Sequence, residues 1–274
     1  ADQLEKKGVK LTKIDRRAHF FNGNIWYVTH NEKGKNTIDA KGWGKYFFGL
    51  EFGRPKRSNG GWSIWNFFKF YCYTPQGHYN LMEKYLPETV GVTAANDTAI
   101  ADFVWPIGPQ GKDGKLELRA IQFKSHPDWL FLRAKVSGQK IRPNIITLSC
   151  YPGNAKLAKQ GERHLKTKDK DYNLSVKTFS MKPTSPDMAF YTKFDHERFG
   201  NYLIIEPAEF KQAQFWKAGA GIEVRFFPKK GQREFRFALS YFNDKNPDEE
   251  LTRFTGETAD NIYKFMQQIN FDPN

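Results

Sequence analysis

Gly221-Ile222-Glu223-Val224-Arg225-Phe226-Phe227-Pro228-Lys229-Lys230-Gly231-Gln232-Arg233-Glu234-Phe235-Arg236-Phe237-Ala238-Leu239-Ser240-Tyr241-Phe242 is the stretch on which the fold reading turns. Ile222, Val224 and Phe226 alternate with Glu223 and Arg225; after Lys229-Lys230-Gly231-Gln232, Phe235, Phe237, Leu239 and Tyr241 share one face of a second run. A period of two sends successive side chains to opposite faces of a strand. Two such runs joined by a short Gly-containing loop predict an antiparallel hairpin with one buried face.

The same rhythm extends outward through the chain. Leu116–Phe123 and Trp129–Val136 read as two further strands, with Lys124-Ser125-His126-Pro127-Asp128 as the turn between them. Proline has no ladder donor and aspartate favours turns. In the second strand Leu130, Leu132, Ala134 and Val136 form an apolar face, and Trp129, Phe131, Arg133 and Lys135 the other. Other strand candidates are Phe20–Thr29, Tyr46–Phe52, Trp62–Tyr73, Phe103–Ile107, Ile145–Tyr151, Met188–Tyr191 and Tyr202–Ile205. The polar stretch 154–171 reads as a solvated loop or the ends of two strands.

From Thr258 the period changes. Ile262, Phe265, Met266 and Ile269 fall at i, i+3, i+4 and i+7, a helical stripe. Glu257 and Asp260 suit a helix start, and Asn270 a stop. The expectation is an all-β protein: a large antiparallel two-sheet sandwich with one C-terminal α-helix packed on it. No compositional break divides the chain, so a single domain is expected, with an N-terminal extension 1–17, a sandwich 18–250 and the helix within 251–274.

Composition narrows the function classes. The chain has 274 residues, 39% of them hydrophobic and 27% charged, as in a globular protein. No window approaches the roughly 18 apolar residues of a membrane-spanning helix. Aromatic residues reach 16%, with 25 Phe, 12 Tyr and 7 Trp, which suit sheets and also give flat faces for sugar rings or bases. A net charge of +13 favours anionic partners. The chain begins Ala1-Asp2-Gln3 without an initiator Met, which fits removal of a signal peptide or a truncated start. A periplasmic or secreted protein is expected. Cys72 and Cys150 either pair in an oxidising compartment or sit as small buried hydrophobes.

No motif spells out a reaction. His19, His30, His78, His126, His164 and His196 lack metal-helix spacing, and no cysteine cluster completes a site, so neither a metal nor a cofactor is expected. The nucleophile elbow, the phosphate loop and the dinucleotide fingerprint are all missing. Trp65, in the doubly apolar run Trp62–Tyr73, belongs either to a buried central strand or to a groove of stacking rings. Trp43, between Gly42 and Gly44, is the better loop platform. Asp195-His196-Glu197-Arg198 is the densest polar cluster, a turn or a place to bind and protonate a polar substrate. His126 and Glu206, each at a strand end, complete the catalytic candidates with His196. Trp43, Trp65, Trp129, Arg133 and Arg198 are the ligand-binding candidates.

Leu116-Glu117-Leu118-Arg119, His126-Pro127-Asp128-Trp129-Leu130-Phe131-Leu132-Arg133 and the hairpin from Gly221 to Phe242 together resemble the galactose-mutarotase-like supersandwich proteins. The resemblance is one of strand rhythm across residues 18–245. It implies two large antiparallel sheets, as in sugar epimerases and in domains of glycan-degrading enzymes. Epimerases of that kind use two histidines and a glutamate; His126, His196 and Glu206 have that chemistry here. The functional expectation is an exported carbohydrate-binding or carbohydrate-processing protein for an acidic polysaccharide or oligosaccharide. The alternative is a non-enzymatic structural or protein-interaction module of the cell envelope. Nucleic acid fits the charge and aromatics but not export. Whether the protein is an enzyme, and its oligomeric state, are left open by the sequence.

Overall fold

Period-two patterning is realised on a large scale. The computed structural model of the protein describes residues 10–12, 17–19, 25–29, 49–54, 63–85, 89–94, 97–152, 161–194, 197–219, 221–244 and 247–272. Its strands, in chain order, are β1 (Lys10–Thr12), β2 (Arg17–His19), β3 (Ile25–Thr29), β4 (Gly49–Arg54), β5 (Ser63–Thr74), β6 (Gly77–Asn80), β7 (Thr89–Ala94), β8 (Thr98–Ile107), β9 (Gly114–Phe123) and β10 (His126–Ser137). There follow β11 (Arg142–Pro152), β12 (Glu162–Lys166), β13 (Asp171–Asn173), β14 (Phe179–Met181), β15 (Asp187–Phe194), β16 (Glu197–Ile205), β17 (Phe210–Ala218), β18 (Gly221–Pro228) and β19 (Glu234–Asp244). Leu81–Lys84 is a single helical turn, α1; α2 (Pro247–Arg253) and α3 (Ala259–Gln268) are joined by a wide turn, Phe254–Thr258.

The strands form two antiparallel sheets. A nine-stranded sheet runs β13-β12-β15-β16-β19-β10-β9-β8-β7, and an eight-stranded sheet runs β14-β17-β18-β11-β5-β4-β3 with β6 added to β5. β1 and β2 pair separately; β1 lies within the expected extension 1–17 and β2 crosses its end. The architecture is thus the expected all-β, two-sheet sandwich with helix at its C-terminal side.

One apolar core fills the space between the sheets. Leu130, Leu132, Ala134 and Val136 of β10 and Phe235, Phe237, Leu239 and Tyr241 of β19 face it from the nine-stranded sheet, as the alternation predicts. Ile222, Val224 and Phe226 of β18 face it from the other. Trp65 pins the layers together: fully buried, its indole N–H donates to the carbonyls of Tyr202 at 3.0 Å and Ser240 at 2.8 Å across the sandwich. A second apolar cluster lies on the outer face of the nine-stranded sheet. There Phe254, Ala259, Ile262 and Met266 cover Trp129, Phe131, Tyr202 and Phe242.

Three departures from the sequence reading have identifiable causes. Strict alternation puts Trp65 on the face of Tyr71 and Tyr73, whereas the structure puts it with Phe70 and Cys72. The pairing Thr147↔Lys69 followed by Leu148↔Phe67 leaves Phe68 as an extra residue. Such a bulge exchanges the faces on its two sides. Next, the stretch 154–171, read as a solvated loop or the ends of two strands, contains the whole of β12. Its inward residues are Arg163 and Leu165, and an arginine in the core breaks the apolar pattern that marks a strand. Arg163 donates to the Pro152 carbonyl and the Thr192 hydroxyl, and burial lowers its pKa to about 10. Finally, helix begins at Pro247, ahead of the expected 251, and of the periodic stripe Ile262, Phe265 and Met266 lie in α3 while Ile269 is the extended residue that ends it.

Both cysteines are free and fully buried, the small-hydrophobe alternative. Burial pushes both thiols far up. No helix among the described residues is long and apolar enough to cross a membrane.

Candidate functional site

At one end of the sandwich the eight-stranded sheet opens into a cleft of about 390 Å3. β5 contributes Tyr73, and the start of β11 with the residue before it contributes Ile141, Arg142, Pro143 and Asn144. Lys211 comes from β17, and the β18–β19 turn supplies Pro228 to Arg233. Irregular backbone shapes the opening. In β11, Pro143 pairs with Cys72 but Ile145 with Tyr71, so Asn144 is an extra residue. In β17, Phe210 pairs with Pro228 but Gln212 with Phe227, so Lys211 is another. Bulges re-aim side chains and recur beside functional sites; here both bulged residues line the cleft.

The β18–β19 turn is held from three sides. Gln232 N–H donates to the Lys229 carbonyl, and Lys229 N–H to the Glu209 carbonyl. Arg233 Nη1 donates to the Gly138 carbonyl at 2.8 Å. Gly138 has φ +104, and an added Cβ would collide with the Asp113 carbonyl oxygen, so glycine is required there. The turn therefore carries Lys229 and Lys230 on an ordered support.

The lining is strongly cationic: Arg142, Lys211, Lys229, Lys230 and Arg233, with no carboxylate among the described residues. Rings stand at its mouth. The Arg142 guanidinium lies 5.5 Å from the centre of the Tyr73 ring, and the His78 ring lies 4.4 Å from Tyr73 and 5.5 Å from Tyr71. His78 Nε2 and Asn144 Nδ2 are 3.1 Å apart. Tyr73, 44% exposed, presents a ring to solvent. Same-sign charge in a recess of low dielectric concentrates counter-ions, and the rings add stacking surface. This arrangement can bind an anion attached to a flat or weakly polar body.

The outer face of the same sheet continues the theme. Trp216 carries the Arg225 guanidinium 4.6 Å from its ring centre. Glu223 accepts from Arg225 at 3.5 Å and lies 3.8 Å from Lys69.

The sequence-predicted residues are scattered. Trp65 is core, as described. Trp129, 8% exposed, lies parallel to Tyr202 and Phe254, each at 6.2 Å, beneath the helical cover. Arg133 is buried on the same face and pairs with Asp272 at 2.6 Å. His126 packs on Phe265 at 4.0 Å, and burial lowers its pKa. Glu206 accepts from Ala208 N–H at 3.0 Å, the Tyr263 hydroxyl at 2.7 Å and Gln267 Nε2 at 2.6 Å. It thus caps a turn and anchors α3 rather than standing free as a base. Leu130 and Leu203 both pair with Leu239, so His126 and Glu206 sit at opposite ends of the sheet. Trp43, His196 and the side chain of Arg198 lie outside the described residues.

Two titratable groups were missed by the sequence reading. Glu209, 7% exposed, has its carboxyl raised to about 8 by burial, although the Arg236 backbone N–H donates to it at 2.9 Å. His164 lies between Asp171 at 2.9 Å and Glu162 at 3.2 Å, parallel to the Tyr191 ring, whose hydroxyl donates to Asp171. Burial opposes its protonation, but hydrogen bonds with the two carboxylates raise its pKa overall. The described residues contain no cluster of three or more His, Cys, Asp or Glu side chains suited to a metal. The signal for the cleft itself was present in Lys229-Lys230, read only as a turn.

No protein-family model matches this sequence, and no curated protein matches it. Among solved structures, it is similar to a galactose mutarotase-related enzyme from Lactobacillus acidophilus at 10% identity, over 87% of this chain and 95% of that one, with a TM-score of 0.41. It is also similar to a heparan sulfate lyase mutant from Pedobacter heparinus at 9% identity, with a TM-score of 0.40. That match covers 86% of this chain but spans only about a third, 36%, of the lyase.

Proposed function

We propose that the protein is an exported carbohydrate-binding protein that takes an acidic glycan in the cationic cleft. Arg142, Lys211, Lys229 and Lys230 neutralise uronate or sulfate groups, while Tyr73 and His78 lie against sugar rings. The observation that carries this reading is a recess lined by five cations and, among the described residues, no carboxylate, with the exposed Tyr73 ring and the His78 ring 4.4 Å from it at its mouth. Its volume falls within the range of small-ligand sites. The lining supports binding, and no reaction is assigned to it.

Affinity electrophoresis against acidic and neutral polysaccharides tests the proposal. Retardation is expected in polygalacturonate or heparin gels and not in neutral gels. The double substitution Lys229→Glu/Lys230→Glu should weaken retardation at least tenfold, since it places like charge on the ligand's anions. Equal retardation of this variant and the parent, or stronger retention by single-stranded DNA than by any acidic glycan, would contradict the reading.

A further inference from the structure

The outer face of the nine-stranded sheet carries a row of like charges. Arg119 of β9 pairs directly with Arg133 of β10, and Arg133 with Arg236 of β19. All three face away from the core, since Leu118, Leu132 and Phe237 beside them face into it. Like charges directly opposite on neighbouring strands are destabilising. The two outer arginines have partners within the sheet: Asp102 grips Arg119 through two hydrogen bonds of 2.6 and 3.0 Å, and Glu234 accepts from Arg236 at 3.0 Å.

Arg133, at the centre, meets a different kind of partner. Its guanidinium binds the Asp272 carboxylate at 2.6 Å and lies 5.8 Å from the Phe271 ring, while Lys135 approaches the same carboxylate at 3.8 Å. Arg119 Nη1 donates to the Phe271 carbonyl at 2.6 Å. The Arg133 side chain is 5% exposed and Asp272 64% exposed, so a buried cation is satisfied by a surface carboxylate from the short segment after α3. Among the described residues Arg133 Nε is buried without a hydrogen-bond partner. A group with more acceptor oxygens than one carboxylate would satisfy this guanidinium better.

We infer that the arginine row Arg119–Arg133–Arg236 is a second anion-binding site, occupied by the protein's own Asp272, which a carboxylate-bearing oligosaccharide displaces. Choosing a glycan rests on the function proposed above; the site itself is independent of the cleft. Displacement lifts Phe271 from Arg133 and frees the segment after α3.

Hydrogen exchange of residues 266–272, with and without tetragalacturonate, tests this in the parent protein and in the Lys229→Glu/Lys230→Glu variant. Ligands usually slow exchange where they bind. Here exchange in this segment is expected to accelerate severalfold, in both proteins. The Asp272→Asn variant should exchange quickly without ligand and bind tetragalacturonate at this row about fivefold more tightly, the upper range for loss of a competing exposed ion pair. Unchanged or slowed exchange of 266–272 in the parent protein would overturn the inference, as would unaltered exchange in Asp272→Asn. Equal glycan affinity of the parent and the cleft variant would instead sink the cleft reading, leaving the exchange result to decide this one.

Discussion

The two sheets turn unlike outer faces to the surroundings. On the nine-stranded sheet, α2, the wide turn and α3 bury Trp129, Phe131, Tyr202 and Phe242 under Phe254, Ile262 and Met266. On the eight-stranded sheet, Trp216, Arg225, Glu223, Lys69 and Tyr71 keep partial exposure and lead towards the cationic cleft. Both faces are rich in aromatic residues, so aromatic content alone does not say which one binds. What separates them is whether a cover of matching apolar residues exists elsewhere in the chain.

Four substitutions probe that contrast. Phe254→Ala should do the most damage. Phe254 is 1% exposed and stacks on Tyr202 at 3.8 Å, and emptying such a site costs about 3–5 kcal/mol. Denaturant unfolding measures it; a loss below about 1 kcal/mol would mean the helical cover is not part of the folded core.

Glu209→Gln comes next, and its effect depends on pH. Because burial raises the carboxyl from 4.5 to about 8, the native state holds a proton that the unfolded chain releases between those values. Stability contributed by Glu209 is therefore greatest below 4.5 and falls as pH rises towards 8. The substitution removes that decline, so the variant should gain roughly 2–4 kcal/mol over the parent at about pH 9 and nothing at about pH 4. Parallel stability–pH curves would contradict the buried, neutral carboxyl.

His164→Gln has the opposite partner chemistry and a smaller effect. The raised pKa means that the pairing with Asp171 and Glu162 is fully present below about 6.5 and lost as pH climbs through the folded value. The variant should lose up to about 1 kcal/mol at about pH 5.5, with the difference shrinking by about pH 8.5. Thermal melts at the two values test it.

Trp216→Ala, on the open face, should change stability by no more than about 0.5 kcal/mol. A loss comparable to that of Phe254→Ala would show that the open face is as structural as the covered one.

The strand rhythm of 116–136 and 221–242 was legible because inward residues there are, Gln122 apart, apolar. The helical stripe of Ile262, Phe265, Met266 and Ile269 was legible for the same reason. β12 was hidden by the inward Arg163. The faces of β5 were misassigned because no local feature announces a bulge at Phe68; it exists to keep register with β11. The candidate site was the least readable part. Tyr73, Asn144, Lys211 and Lys229 come from four separate segments, and two of them line the cleft only because they are bulged. Trp129 read as an open stacking platform because alternation shows which residues leave the core, not what then covers them.

Hydroxyl-radical footprinting with an acidic oligosaccharide such as tetragalacturonate addresses the central claim most directly. Protection is predicted at Tyr73 and His78, with Phe227 and Trp216 less affected. Unaltered labelling of Tyr73 and His78 at a saturating glycan concentration would contradict the cleft as the place where the ligand binds.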